Sequence, residues 1–261
     1  FKRMYMAGVV TAMLLYAHRD TAITPEAVEK QWAQDWGTTP YALTKGTSDG
    51  QRMDFDCGGH AVSILPWTEP LDLDFDKLGR ISRLWPNGQA LNHPERSLVM
   101  LSTNGSIDAI EAHTVLSQIL ASVIATSPQE AVVFWQNAMH LIEPQEFRRM
   151  VQEGHLLPLI WLWVSIHAET TNTEGVMHVY TTGLHRLGLT ELEIPAWEKD
   201  EQAAFRLLSN IAMYLVGNGK EIADGETLST ADQSEVITAE YGQDSKHPDR
   251  RVVRLRVGAA R

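Results

Sequence analysis

A chain of 261 residues is long for one compact unit and short for two full ones, which points to one large domain or two fused α+β halves. Hydrophobic residues at 44%, charged residues at 21% and a mean hydropathy of −0.20 give it a real core and exclude a disordered chain. The net charge of −11 argues against a nucleic-acid partner, because a polyanion is repelled over most of such a surface.

From the N-terminus, residues 1–4 are basic, but the apolar run Ala7–Ala17 contains Thr11 and Tyr16 and leads into a helix cap with no small-residue cleavage site. No signal peptide is expected there, and no apolar run approaches the roughly 20 residues of a membrane span. The single cysteine, Cys57, excludes an intrachain disulfide and a Cys-based zinc site, and it makes the reducing cytoplasm the natural compartment.

Val9–Ala17 reads as a buried strand. Thr24 as N-cap, Pro25 at the first helical position and an acidic first turn open a helix that runs to Trp36 and stops at Gly37. Short antiparallel strands follow at Tyr41–Thr44, Arg52–Asp56 and His60–Leu65. Residues 66–94 carry Pro66, Pro70, Pro86 and Pro94, one short helix over Phe75–Leu84, and the alternating acids Asp72, Asp74 and Asp76. That segment is the expected boundary between halves.

A strand at Arg96–Thr103, a long helix at Asp108–Thr126, a strand at Ala131–Trp135 and a helix at Pro144–Gly154 come next. Leu156–Val164 is apolar throughout and predicts the central strand of a sheet, overlapping a long strand bounded as Pro158–Ala168. Val176–Thr182 is a strand, and Glu201–Val216 an amphipathic helix closed by the glycine breaker at 217–219. Glu235–Tyr241 and Arg251–Val257 predict a terminal hairpin. The order predicts an α+β fold with mixed or antiparallel sheets and helices packed on one face, built from two fused β-α-β-type units. The expected divisions are an N-terminal unit 1–68, a connecting segment 69–95, a C-terminal unit 96–228 and a hairpin tail 229–261.

Charge is unevenly placed. Residues 244–261 hold six Lys/Arg against two Asp, a local +4 that leaves −15 on residues 1–243. The ordinary reading is that the tail neutralises itself against acids of the body; the sharper one is an exposed basic strand.

Candidate chemistry is sparse. His167-Ala-Glu169 superficially matches half of a zinc deaminase signature, but that site needs paired cysteines. Cys57 and His60 flank a Gly-Gly pair, which reads as a tight β-turn rather than an activated thiolate. Trp135, Asn137, His140 and Glu143 stand at a strand–helix junction and are the candidate polar pocket; the plainer reading is that Glu143 and Pro144 cap a helix. The carboxylates Glu191 and Glu193 alternate, as the three Asp do, and read as solvated strand faces. No nucleophile elbow, zinc helix, phosphate loop or dinucleotide fingerprint occurs, so no catalytic, cofactor-binding or metal residue is assigned.

The segment Tyr180–Leu184, the run Leu187–Ile194, the helix face Leu207–Leu215 and the turn Asp224–Leu228 resemble the bacterial family called domain of unknown function 4261. The likeness extends upstream through Gly8–Leu15, Val99–Ser102 and Ala131–Trp135, covers most of residues 8–228 and leaves the tail 230–261 outside. The resemblance implies a soluble bacterial α+β protein, found among genes of toxin and secretion systems, with no catalytic motif to carry over.

Acidic body, sparse chemistry and resemblance together predict a non-enzymatic, protein-binding role without a cofactor. The concrete form is an immunity or accessory protein that neutralises or escorts a basic toxin effector of a secretion system. Trp67, Asp72, Asp74, Asp76 and Trp85 are the expected contact residues, with no nucleic acid and no membrane as partner. The alternatives are an enzyme with a dispersed site at residues 135–143 and a structural homodimer subunit.

Overall fold

The computed structural model describes residues 8–17, 23–50, 52–85, 95–105, 107–127, 131–198, 200–229, 235–245 and 249–259. The basic residues 1–4, Ala7, Pro86, Pro94, and Lys246 and Arg261 of the basic tail lie outside them. The chain divides into two units, residues 1–162 and 163–261. The fold is α+β, with one antiparallel and one mixed sheet.

The first unit contains β1 (Val9–Tyr16), α1 (Pro25–Trp36), β2 (Leu43–Ser48), β3 (Met53–Cys57), β4 (His60–Pro66) and α2 (Phe75–Ile81). It continues with β5 (Glu95–Ser102), α3 (Ala109–Thr126), β6 (Val132–Trp135), β7 (His140–Ile142), α4 (Pro144–Glu153) and α5 (Leu156–Trp163), which runs up to the division. Its seven strands lie in the order β2-β3-β4-β5-β1-β6-β7, antiparallel throughout. β1 is apolar on both faces because it lies between β5 and β6. Those pairings join elements expected in separate units 1–68 and 96–228. The boundary expected at 69–95 is therefore corrected to Leu162/Trp163. Periodicity reports which faces of a strand are buried, and the partner across the sheet leaves no local mark.

Alternation along β1 and β6 sends Met13, Leu15, Val132 and Phe134 to one face, where they cluster with Leu71, Leu78, Leu98 and Leu141. The proline-bearing segment covers this face: Trp67, Leu73, Phe75 and Trp85 pack on the cluster. Helices α1, α3 and α4 take the other face, so helices stand on both sides of the sheet rather than one. There the Trp36 Nε1–H donates to Ser122 Oγ at 3.1 Å, and Trp135 stands beside His113 of α3 and Phe147 of α4. α3 is the one described helix long and apolar enough to cross a membrane; here its buried face packs within the first unit.

The central strand expected at Leu156–Val164 is corrected: Leu156–Trp163 is the helix α5. An apolar run with no polar alternation fits a buried helix as well as a buried strand, and Pro158 is tolerated in a first turn.

The second unit contains β8 (Ser165–Thr170), β9 (Met177–Thr182), a 3-10 turn at Leu184–Leu187, β10 (Glu191–Trp197), α6 (Glu201–Asn218), β11 (Thr227–Ser229), β12 (Glu235–Gln243) and β13 (Arg251–Ala259). The order is β11-β12-β13-β10-β9-β8, and only β10 and β13 are parallel. The expected terminal hairpin forms as β12 and β13, and β13 docks on β10. One face carries buried Val179, Leu192, Ile194, Ile237, Ala239, Val253 and Leu255. α6, whose buried stripe includes Ala204, Leu208, Ile211 and Leu215, packs on β8 and β9. The opposite face is polar.

Candidate functional site

The structure places the residues at 135–143 in a tight, buried hairpin. Trp135 and His140 are directly paired across β6 and β7, and Asn137 lies in the four-residue turn between them. Met139 takes a left-handed φ of 53°, closing the turn with its N–H on the Gln136 carbonyl at 3.2 Å. The Gln136 side-chain oxygen accepts from the Thr11 hydroxyl of β1 at 3.1 Å. His140 Nε2 meets the carbonyl of Leu162 at 2.8 Å. Glu143 occupies the N-cap position of α4 without a side-chain cap bond, and Pro144 follows as the first helical residue. Trp135, Asn137 and His140 are buried and Glu143 partly so, which makes the junction a core hairpin with polar members.

Of the expected contact residues, Asp72, Asp74 and Asp76 are exposed, but Asp74 caps α2 by accepting from Lys77 N at 2.8 Å, and Asp76 sits in that helix's first turn. Trp67 and Trp85, expected as exposed aromatics, are half-buried on the sheet. Large flat side chains packed on the cluster that includes Phe134 and Leu141 bury their own surface there.

Cys57 is fully buried, and burial, followed by the Asp56 charge, pushes its thiol up to about 12. His60, its cross-strand pair, accepts from Asn104 N at 3.4 Å. Iodoacetamide is expected to modify the folded protein at least about a thousandfold more slowly than free cysteine at neutral pH, and at an ordinary rate once it is denatured. Fast labelling of the folded protein would contradict this placement.

The densest polar arrangement lies in the second unit, on residues that were expected to be solvated. Glu191 and Glu193 are 6% and 3% exposed. Glu191 accepts from the Thr181 hydroxyl at 2.7 Å and from the backbone N–H of Gly183 at 2.8 Å and of His185 at 3.2 Å, and it meets His185 Nδ1 at 2.6 Å. Burial pushes this carboxyl up, but His185 and the other donors outweigh it and hold it below the usual glutamate range. Glu193 meets His178 Nε2 at 2.8 Å and accepts from Arg254 Nε at 3.1 Å.

Around Glu193 the register builds a polar rank across the sheet: His167 of β8 opposite Tyr180 of β9, then Glu193, Arg254 of β13 and Glu240 of β12. Tyr180 is stacked between His167 and His178, each at 5.1 Å between ring centroids, and its hydroxyl donates to Glu169 at 2.9 Å. Burial, then the bond to Glu169, pushes the phenol well above its ordinary value, so it stays protonated as a donor. Gly242 leaves the space the Arg254 guanidinium fills: a Cβ there would lie 2.9 Å from its carbon. The basic tail thus pairs with the body, through Arg254 with Glu193, Arg256 with Glu240 and Arg251 with Glu221.

Residues 180–256 match the family model for domain of unknown function 4261, DUF4261. That segment is similar to the DUF4261 family. It runs from Tyr180 in β9 through β10, α6, β11 and β12 to Arg256 in β13, so the DUF4261 match contains Glu191, Glu193, His185 and Arg254. The likeness expected over residues 8–228 is corrected in extent: the match takes in the tail strands and begins at 180. No curated protein and no solved structure matches the chain.

The sequence did carry one signal for the DUF4261 network. Glu191 and Glu193 alternate with Leu192 and Ile194 just after Leu184, Leu187 and Leu189, so this short stretch is too apolar for a solvated edge. Carboxylates there require partners, and His178 and His185 were the candidates within reach.

Proposed function

We propose that this protein acts by binding a basic protein partner, and more concretely that it is a bacterial immunity or accessory protein, working in the cytoplasm, that neutralises or escorts a toxin effector of a secretion system. One observation carries the reading. The net charge is −11, and three arginines of β13 are already paired with Glu193, Glu240 and Glu221, so the remaining excess acid faces outward on a chain whose basic strand is occupied. Complementary charge of this kind raises association rate and selects against wrong partners. The side chains nearest to acid–base chemistry are engaged within the fold: His140 on Leu162, His178 on Glu193, His185 on Glu191. The occurrence of DUF4261 relatives among toxin and secretion genes, implied by the resemblance, supports the finer reading.

The acidic contact residues narrow to Asp72, ahead of α2, and Asp76 in its first turn, both exposed; Ile81 at the end of α2, 44% exposed, is a candidate apolar anchor. The paired substitution Asp72→Lys and Asp76→Lys is expected to slow association with the native partner by about tenfold at low salt and to change dissociation little. Surface plasmon resonance against the co-purified partner at two ionic strengths measures both. An association rate indifferent to charge reversal and to salt would remove the electrostatic basis of the reading.

A further inference from the structure

Four strands end the two sheets: β2 and β7 in the first, β8 and β11 in the second. An open edge invites pairing with another chain, and folded proteins blunt it with short strands, bulges, Lys or Pro. β7 and β11 have three residues each. β2 is bulged between Thr44 and Thr47, with Lys45 at a φ of 59°. β8 has none of these devices. It runs six residues, contains neither Lys nor Pro, and keeps an unbroken register from Ser165 opposite Thr182 to Thr170 opposite Met177.

The direction of its free groups follows from one bond. Thr171 N donates to the Val176 carbonyl at 3.0 Å, which fixes the alternation of the antiparallel ladder. Ser165, His167 and Glu169 exchange backbone bonds with β9, while Ile166, Ala168 and Thr170 turn their N–H and C=O groups outward. Among the described residues, no backbone bond from outside the β8–β9 ladder reaches those three.

We propose that β8 pairs antiparallel with β8 of a second copy of this chain, about a two-fold axis at Ala168. This register sets Ala168 opposite the partner's Ala168, Ile166 opposite the partner's Thr170, and His167 opposite the partner's Glu169. Every outward N–H and C=O of the strand then meets its counterpart. The His167 and Glu169 pairs fall at the non-hydrogen-bonded positions, where facing side chains come closest, and the symmetry makes the pair twice. An axis at Glu169 would instead place two carboxylates face to face, and one at His167 two imidazoles. The strand is thus complementary to itself in one register. The polar rank from Glu240 through Tyr180 to His167 then continues into the partner, and a two-fold axis closes the assembly at two chains.

The test is the oligomeric state of the full chain by sedimentation equilibrium, from low micromolar up to about 0.5 mM, where even a small edge-to-edge interface is populated. The wild type is expected to shift from monomer to dimer across that range. Ala168→Pro deletes an outward N–H and no bond to β9; it should stay monomeric while keeping the wild-type circular dichroism spectrum. Glu169→Lys should weaken the dimer by about tenfold, whereas the exchange in its place (His167→Glu with Glu169→His) should dimerise as the wild type does, since the exchanged pair faces itself in the same register. If Ala168→Pro disturbs folding, this charge series decides alone. A wild type that stays monomeric throughout, one that forms open-ended assemblies, or a Glu169→Lys variant that dimerises as the wild type does would each overturn the proposal. The readout is independent of any toxin partner, so its failure would leave the proposed function standing, and the reverse.

Discussion

Gly183→Ala is expected to cost the second unit most of its stability. Gly183 holds a φ of +122°, which L side chains rarely adopt, and a Cβ there would stand 2.2 Å from the carbonyl oxygen of Trp163. That obstacle is backbone and cannot rotate away, so the strand start near Trp163 or the turn itself must move. Conformational strain and the clash add to about 4 kcal/mol, a large share of the stability of an ordinary domain. Gly188→Ala separates the two causes. Its φ of +79° is also left-handed, but a Cβ there meets nothing within 4 Å, so only the conformational cost of about 1 kcal/mol applies. Urea denaturation of the two variants measures the difference; equal losses would mean that the close approach to Trp163 carries no weight.

The second large effect concerns Glu191, which the Gly183 turn encloses. Glu191→Ala leaves the Thr181 hydroxyl, the N–H of Gly183 and the N–H of His185 without their buried acceptor, and about 3–5 kcal/mol is expected to be lost. The folded carboxyl sits below its unfolded value, so its contribution is full above the ordinary glutamate range and disappears as pH falls through the lower folded value. Melting temperature measured from neutral pH downward should therefore fall more steeply for the wild type than for Glu191→Gln, which cannot titrate. Parallel curves would show that the carboxylate charge contributes nothing to the fold.

These two residues also mark where the sequence was legible and where it was not. Local chemistry was readable in part: Thr24 caps α1 by accepting from the Ala27 N–H, as the Thr-Pro-Glu start implied, while the same caps by Asp108 on α3 and Asp200 on α6 emerged only from the structure. The β12–β13 hairpin and the self-neutralising tail were readable too. Leu156–Trp163 was not, because an apolar run too short for a clear period fits helix and strand alike. The partners of β1 were not, because a seven-stranded antiparallel sheet joins strands from both sides of the proline-rich segment. Glu191 and Glu193 were read as solvated on alternation alone. Which face an alternating strand buries depends on what lies across the sheet, and here His178, His185 and Arg254 lie there. The polar core of the DUF4261 segment became visible only when β9, β10 and β13 were side by side.

Whether the protein works by holding another protein is decided by native mass spectrometry of the protein purified from cells that produce it at natural levels. The expected result is a stoichiometric complex in which the protein, or its dimer, carries one basic protein that leaves as ionic strength rises. Recovery of the protein alone, or of its dimer with no second protein, would contradict it.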